Sequence, residues 1–195
     1  MRRSHEDIQD ELLVLRWQGG ELEALDALVF RWQPRLWRLA ARLTSDRDAA
    51  SDLVQEAWLA IVRGLGRLDD PARFRVWAYR IVANKCADWV RRRAVRRNAA
   101  QELQSLAAAR KEDGGPSSLN GADEASRLRA ALWRLPDDLR TTLALHYLEG
   151  LSVLEIAAVF NAPAGTVKSR LHNARAQLGK ILQGGSHARP GQEDR

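Results

Sequence analysis

Residues 163–182, PAGTVKSRLHNARAQLGKIL, predict an amphipathic helix with one basic, polar face. Apolar side chains recur at intervals of three and four, which places them on one side of an α-helix: Val167, Leu171, Ala174, Leu178 and Ile181. The opposite side carries hydroxyl, amide, imidazole and basic groups: Thr166, Lys168, Ser169, Arg170, His172, Asn173 and Arg175. The whole segment lacks Asp and Glu. We therefore expect this face to contact an anionic partner.

The residues before this helix predict a second helix and a tight turn. Ser152 and Glu155 have the spacing of a capping box ahead of an apolar run, and a short turn at residues 161–162 leads to Pro163. Two helices joined in this way are typical of a helix-turn-helix, whose second helix enters the major groove of DNA. From this segment alone, a basic surface helix in a small bundle remains the alternative.

The composition limits the class of protein and its partners. A chain of 195 residues with 45% hydrophobic residues can form one ordinary domain or two small ones. Its net charge of +6 leaves nucleic acid, an anionic membrane and an acidic protein surface open as partners. The single cysteine, Cys86, excludes an intrachain disulfide and a multi-cysteine zinc site. No apolar run approaches about 18 residues, so we expect a soluble, cytoplasmic protein that does not insert into a membrane.

We predict an all-α protein of two small helical domains joined by a flexible linker. The helical breaks are expected at Gly19-Gly20, residues 44–46 and residues 64–71. Between residues 101 and 126 the chain has five acids and two bases, with Gly, Pro and Ser and no apolar periodicity. The predicted segments are an N-terminal extension (1–20), a first helical domain (21–97), an acidic linker (98–126), a second helical domain (127–182) and a disordered tail (183–195).

Residues 48–63 predict a helix whose polar face is acidic. Its apolar side consists of Leu53, Val54, Ala57, Trp58, Ile61 and Val62. The other side consists of Asp52, Gln55, Glu56 and Leu59. This acidic face suits docking of a basic protein surface, and ordinary solvated charge is the alternative. Asp52 and Glu56 lack the further ligands that a metal site requires, so no metal is expected.

Residues 74–93 predict a second informative helix, with a strongly basic surface. Its apolar side consists of Ala78, Tyr79, Val82, Ala83, Cys86, Trp89 and Val90, and its polar side of Trp77, Arg80, Asn84, Asp88 and Arg91. Between residues 73 and 97, nine bases face one acid, a net charge of +8: Arg73, Arg75, Arg80, Lys85, Arg91, Arg92, Arg93, Arg96 and Arg97 against Asp88. Guanidinium groups bind phosphates, and an amide with an indole can hold unstacked bases. For Trp77, packing against the preceding loop is the alternative, and Cys86 is expected in the core.

Together the two helical blocks resemble the extracytoplasmic-function (ECF) sigma factors of bacterial RNA polymerase. The resemblance extends from about residue 22 to residue 182. In the first block it rests on DLVQEAWL (52–59) and RLDDPARFRVWAYRIVANKCADWVRRR (67–93), which follow sigma region two. In the second it rests on LPDDLRTTLALHYLEGLSVLEIAAVFNAPAGTVKSRLHNARAQL (135–178), which follows region four. The order and separation of the two blocks make the resemblance specific.

The resemblance implies core RNA polymerase and promoter DNA as partners, an anti-sigma factor as regulator, and no cofactor. The residues at the polymerase-docking position are Asp52, Gln55 and Glu56, with Leu59 beside them. The resemblance places the loop 69–75 and the helix bearing Arg80, Asn84 and Lys85 where the opened minus-10 strand is captured. With the indole and basic side chains beside them, the predicted minus-10 residues are Arg73, Arg75, Trp77, Arg80, Asn84, Lys85, Arg91 and Arg92. Those on the minus-35 recognition helix are Thr166, Lys168, Ser169, Arg170, His172, Asn173 and Arg175. Family members often have a basic residue at the position of Asn173, so a phosphate contact is missing or replaced there.

Two other functions remain as alternatives. A stand-alone helix-turn-helix regulator accounts for residues 127–182 but not for the acidic face or the +8 helix. A metal-dependent nuclease would have to use Asp46, Asp48, Asp52 and Glu56, without a second carboxylate cluster or a catalytic histidine pair.

Overall fold

The computed structural model describes residues 5–107 and 124–184, and within these ranges the chain is helical and contains no β-strand. The helices are α1 (His5–Gln18), α2 (Leu22–Thr44), α3 (Arg47–Leu65), α4 (Phe74–Ala107), α5 (Glu124–Trp133), α6 (Asp137–Leu143), α7 (Val153–Phe160) and α8 (Ala164–Gly184). A 3-10 turn at Pro71–Arg73 precedes α4, and a π-helical turn at Ala144–Leu148 follows α6. The predicted all-α fold is confirmed. Over the same two ranges, no helix has both the length and the apolar character that crossing a membrane requires.

The first three helices end at the breaks that the sequence predicts. Gly20 adopts a φ of 97° between α1 and α2, a left-handed conformation that favours glycine. After α2, the Asp46 carboxylate accepts a hydrogen bond from the backbone N–H of Ala49 at 3.0 Å and caps α3. The Asp70 carboxylate accepts from the N–H of Ala72 at 3.2 Å and begins the 3-10 turn. Short-range hydrogen bonds therefore define the chain reversals of this domain.

Helices α1 to α4 pack around Trp32, which is fully buried. Its ring makes edge-to-face contacts with Phe74 and Tyr79, with ring centroids 5.3 and 5.4 Å apart. Val14 of α1 is also fully buried in this core. Helix α1 is therefore a member of the first bundle, although residues 1–20 are predicted as an extension outside it. Its regularly spaced apolar residues, Ile8, Leu12 and Leu15, are about half exposed, and Val14 lies off that stripe, so the spacing does not indicate the buried face.

Helix α4 continues ten residues beyond the predicted end of the first domain. Residues 98–107, predicted as linker, are helical. This stretch, NAAQELQSLA, contains no glycine or proline and is rich in helix-forming residues, and the composition changes only at residues 114–116. At the other ends, α5 already begins at residue 124 and α8 continues to residue 184. The rest of the predicted linker and tail lies outside the described residues.

Helices α5 to α8 form the second domain and contain the predicted helix-turn-helix. The Ser152 hydroxyl accepts from the N–H of Glu155 at 3.3 Å, and the Glu155 carboxylate accepts from the N–H of Ser152 at 2.8 Å, which completes the capping box. Asn161 ends α7 with a φ of 50°, and α8 begins three residues later. On α8, Val167, Leu171 and Ala174 are buried, and Leu178 and Ile181 are half-buried. The predicted apolar seam is confirmed.

Candidate nucleic-acid and docking interfaces

The polar side chains of α8 lie together on its solvent face. Those that are exposed are Lys168, Ser169, His172, Asn173 and Arg175, and Thr166 is half-buried at the start of the face. The Ser169 hydroxyl donates to the backbone carbonyl of Thr166 at 2.9 Å, and the Arg175 guanidinium donates to that of Leu171 at 3.2 Å. From residue 166 to residue 175 the face is about 15 Å long. Such a helix fits a major groove of about 12 Å width and offers it donors and acceptors.

Arg170 differs from its neighbours because it is turned toward the other helices. Its Nε lies 3.3 Å from the Asp138 carboxylate of α6. Its guanidinium carbon lies 5.3 Å from the centroid of the Phe160 ring of α7. Only 29% of the side chain is exposed. Arg170 therefore links α8 to α6 and α7, a contact that the sequence pattern does not indicate.

The acidic face of α3 is exposed as predicted, with Asp52, Gln55, Glu56 and Leu59 on the side opposite the core. The residues predicted to form the apolar side of this helix are buried at five positions, Leu53, Val54, Ala57, Trp58 and Ile61. The prediction is wrong for Val62. Val62 is 37% exposed because it lies at the edge of the buried stripe. Together with Leu59, which is 58% exposed, it adds an apolar component to the acidic face.

Helix α4 presents an exposed polar face beside α3. Its exposed residues include Arg80, Asn84, Asp88, Arg91 and Arg92. Arg91 pairs with the Asp88 carboxylate at 2.6 Å. The Lys85 ammonium lies 3.0 Å from the Glu56 carboxylate and joins α4 to the acidic face of α3. Before the helix, exposed Arg73 pairs with Asp70 at 3.0 Å. The acidic and basic faces are therefore contiguous on the first domain.

Trp77 does not lie free on this face. Its ring packs against Phe74, with ring centroids 6.3 Å apart, and covers the backbone of α3 at Gly64. A Cβ atom on Gly64 would lie only 2.7 Å from Cζ2 of Trp77. The indole is half-buried, so the structure favours the packing alternative over an unpaired base as its partner.

Arg75 is directed toward the second domain and away from solvent. Its Nη2 donates to the backbone carbonyl of Glu149 at 2.5 Å. Its Nη1 lies 3.8 Å from the carboxylates of Asp7 and Glu155. These contacts occupy Arg75 in this arrangement of the domains, and its role at the minus-10 strand stays a prediction. Sequence reasoning also missed Glu149, because its contacts come from residues about 70 to 107 positions away and leave no local pattern.

Two further groups with possible reactivity, Asp46 and Cys86, are engaged in structure. Among the described residues, no group of three or more His, Cys, Asp or Glu side chains is arranged to hold a metal ion. The Asp46 carboxylate, part of the nuclease alternative, caps α3 and pairs with Arg93 at 3.3 Å. Cys86 is buried as expected, and burial raises the pKa of its thiol to about 12. The thiol is therefore neutral and unreactive near pH 7.

The fold and these faces define an all-α protein of two helical domains, the second of which contains a helix-turn-helix. The model of sigma-70 region 2 matches residues 28–96, and that of sigma-70 region 4 matches residues 125–178. The RNA polymerase sigma-H factor of Pseudomonas aeruginosa is 35% identical over 183 residues, which cover 90% of this chain and 94% of that protein. The ECF RNA polymerase sigma-E factor of Escherichia coli K12 is 33% identical over 189 residues, 91% of this chain and 96% of that protein. The chain belongs to the sigma-70 family and is a sigma factor of the ECF group.

Solved structures agree with this assignment. CnrH, in complex with the cytosolic domain of CnrY, is 28% identical with a TM-score of 0.69, covering 91% of this chain and 99% of that one. RpoE of Bartonella quintana, 23% identical with a TM-score of 0.63, shares the fold over 83% of this chain and 98% of that one. The protein therefore binds core RNA polymerase and directs it to promoters as a regulatory subunit. The stand-alone regulator is wrong, because both domains match sigma regions.

Proposed function

We propose that Asp52, Gln55, Glu56 and Leu59 of α3 form the surface that docks on core polymerase. The observation that carries this assignment is their common exposure on a folded helix whose other side is buried. The four side chains combine carboxylates, an amide and an apolar group, which suits a basic partner surface with an apolar centre. The salt bridge between Glu56 and Lys85 links this surface to α4. Docking would therefore position α4 directly.

We assign the minus-10 element to the first domain and the minus-35 element to the second. Residues 21–97 bind the opened minus-10 strand through the exposed polar face of α4, with Asn84 at a flipped base and Arg80, Arg91 and Arg92 at phosphates. Residues 127–182 recognise the minus-35 element through the exposed face of α8. Each domain binds weakly alone, and polymerase raises the effective concentration of the second when the first is bound. The protein acts in the cytoplasm, where polymerase and promoters are.

Regulation by a protein partner completes the proposal. CnrH, at 28% identity, was solved with the cytosolic domain of another protein, CnrY. We propose that this chain is likewise held by an anti-sigma factor, which the resemblance to ECF sigma factors also implies.

Co-elution with purified core polymerase on gel filtration tests the docking surface. The double variant Gln55→Ala, Glu56→Ala should keep its thermal stability, because both side chains are exposed, but lose much of its affinity for core. Asp26→Ala on α2, also an exposed acid, is the matched control and should co-elute like wild type. Co-elution of the double variant at wild-type affinity would refute the assignment.

A further inference from the structure

A buried carboxylate lies at the contact between the two domains, where α4 also packs on α7. Glu149, between the π-helical turn and α7, has only 6% of its side chain exposed. Its Oε2 accepts a hydrogen bond from the Tyr79 hydroxyl at 2.6 Å, and its Oε1 lies 3.3 Å from Nη1 of Arg42. Its backbone carbonyl accepts from Arg75 at 2.5 Å. We call these four residues the Glu149 clasp. Three side chains of the first domain, one from α2 and two from α4, hold one residue of the second.

The surrounding backbone and charges are arranged for this contact. Gly150 follows with a φ of 67°, a conformation that favours glycine, and a Cβ atom placed on it would lie 3.8 Å from Nη2 of Arg75. The same guanidinium lies 3.8 Å from the Glu155 carboxylate at the start of α7. A buried carboxylate costs free energy unless charged or hydrogen-bonding groups surround it, and here both kinds do. The clasp is therefore a specific contact. Glu149 is buried and paired only while the two domains touch, and their separation would expose it and its partners to water.

The clasped arrangement cannot hold both promoter elements at once. The names minus-35 and minus-10 place the elements about 25 base pairs apart, which is about 85 Å of duplex at about 3.4 Å per base pair. Glu155, in contact distance of Arg75, belongs to α7, which packs on α8. Arg75 and α8 therefore lie within about two helix diameters of each other, which is about 20–25 Å. Recognition of both elements requires the domains to separate.

We propose that the Glu149 clasp is an autoinhibitory contact of the free sigma factor. While closed, it occupies Arg75 and Arg42 on the first domain with groups of the second and keeps the two DNA-binding faces too close to span a promoter. Engagement with core polymerase opens it and releases both arginines to anionic partners. The inhibitory consequence rests on the function proposed above, but the closed state itself does not.

Glu149→Gln and Tyr79→Phe test the clasp in the full chain. Glu149→Gln removes the charge that attracts Arg42, and Tyr79→Phe removes the hydroxyl while keeping the buried ring. Asp26→Asn is the matched control, since it makes the same acid-to-amide change on the exposed surface of α2. Circular dichroism melting of each variant establishes that both domains remain folded.

Small-angle scattering of the free proteins is the first measurement. A compact chain of this length has a radius of gyration of about 16 Å. Wild type and Asp26→Asn should lie nearest to this value, and both clasp variants should be larger by several ångströms. A radius equal to wild type in both folded variants would overturn the clasp. If Tyr79→Phe alone fails to fold, the Glu149→Gln result decides.

Binding to a single-stranded minus-10 oligonucleotide, without polymerase, is the second measurement. Both clasp variants should bind several-fold more tightly than wild type and Asp26→Asn, because Arg75 becomes accessible. Expansion without tighter binding would overturn the inhibitory role. Failure of the proposed function would give a different result. Wild-type protein would then yield no promoter-dependent transcript with core polymerase, whatever the radius of gyration of the free protein.

Discussion

Asn84→Ala should separate strand capture from folding. Asn84 is exposed on α4, beside Arg80 and away from the buried residues Ala83 and Cys86. An exposed substitution of this kind changes the free energy of unfolding by no more than about 0.5 kcal/mol. A side-chain amide that hydrogen-bonds one base edge contributes about 1–3 kcal/mol of recognition. That range corresponds to a loss of about 5- to 140-fold in open-complex formation at about 1.4 kcal/mol per factor of ten.

The assay compares two templates with the same promoter, one fully duplex and one with a mismatched, already unpaired minus-10 region. The loss in Asn84→Ala should be large on the duplex and smaller on the mismatched template, because unpairing there costs less. Thermal melting and affinity for core polymerase should match wild type. A melting temperature well below wild type, or normal opening of duplex promoters, would show that Asn84 is structural and that strand capture lies elsewhere on α4.

Two further predictions concern packing and the recognition helix. Gly64→Ala should lower the melting temperature, because the new Cβ would lie 2.7 Å from the Trp77 ring. Overpacking destabilises the folded state by about 1–3 kcal/mol, which exceeds the stabilisation of about 1 kcal/mol from the higher helix propensity of alanine. Gly179→Ala is the control and should not destabilise the protein, because a Cβ there would have nothing within 4 Å. Lys168→Ala should weaken binding to matched and scrambled minus-35 duplexes alike and flatten the salt dependence by about one unit, whereas Ser169→Ala should weaken only the matched duplex. Equal losses for both variants on both duplexes would mean that α8 does not discriminate sequence.

The features that the sequence predicted correctly are those encoded within one helix. The apolar spacing of α8 placed Val167 and Leu171 in the core, and the same rule placed Asp52 and Gln55 on the exposed side of α3. Capping at Ser152 was equally local, because both partners lie within one turn. These interactions depend on neighbours three or four residues away, so periodicity and residue type suffice to predict them.

The features that could not be predicted from the sequence depend on contacts between distant segments. Trp77 falls on the polar side of α4 by helical spacing, yet the absence of a side chain at Gly64 opens a place for its indole. Arg170 belongs to the polar face of α8 by the same rule, yet it pairs with Asp138 across the domain. Arg75 meets Glu149, 74 residues further along the chain. No pattern within a single helix contains this information.

This chain gives core polymerase promoter specificity, and we propose that it does so through two separate DNA-binding faces. Run-off transcription of a pool of duplex fragments by core polymerase, with and without the full chain, tests it most directly. With the chain present, initiation should be restricted to discrete start sites whose fragments share two sequence elements, one opened and one duplex, about 25 base pairs apart. Start sites as scattered with the chain as with core polymerase alone would contradict it.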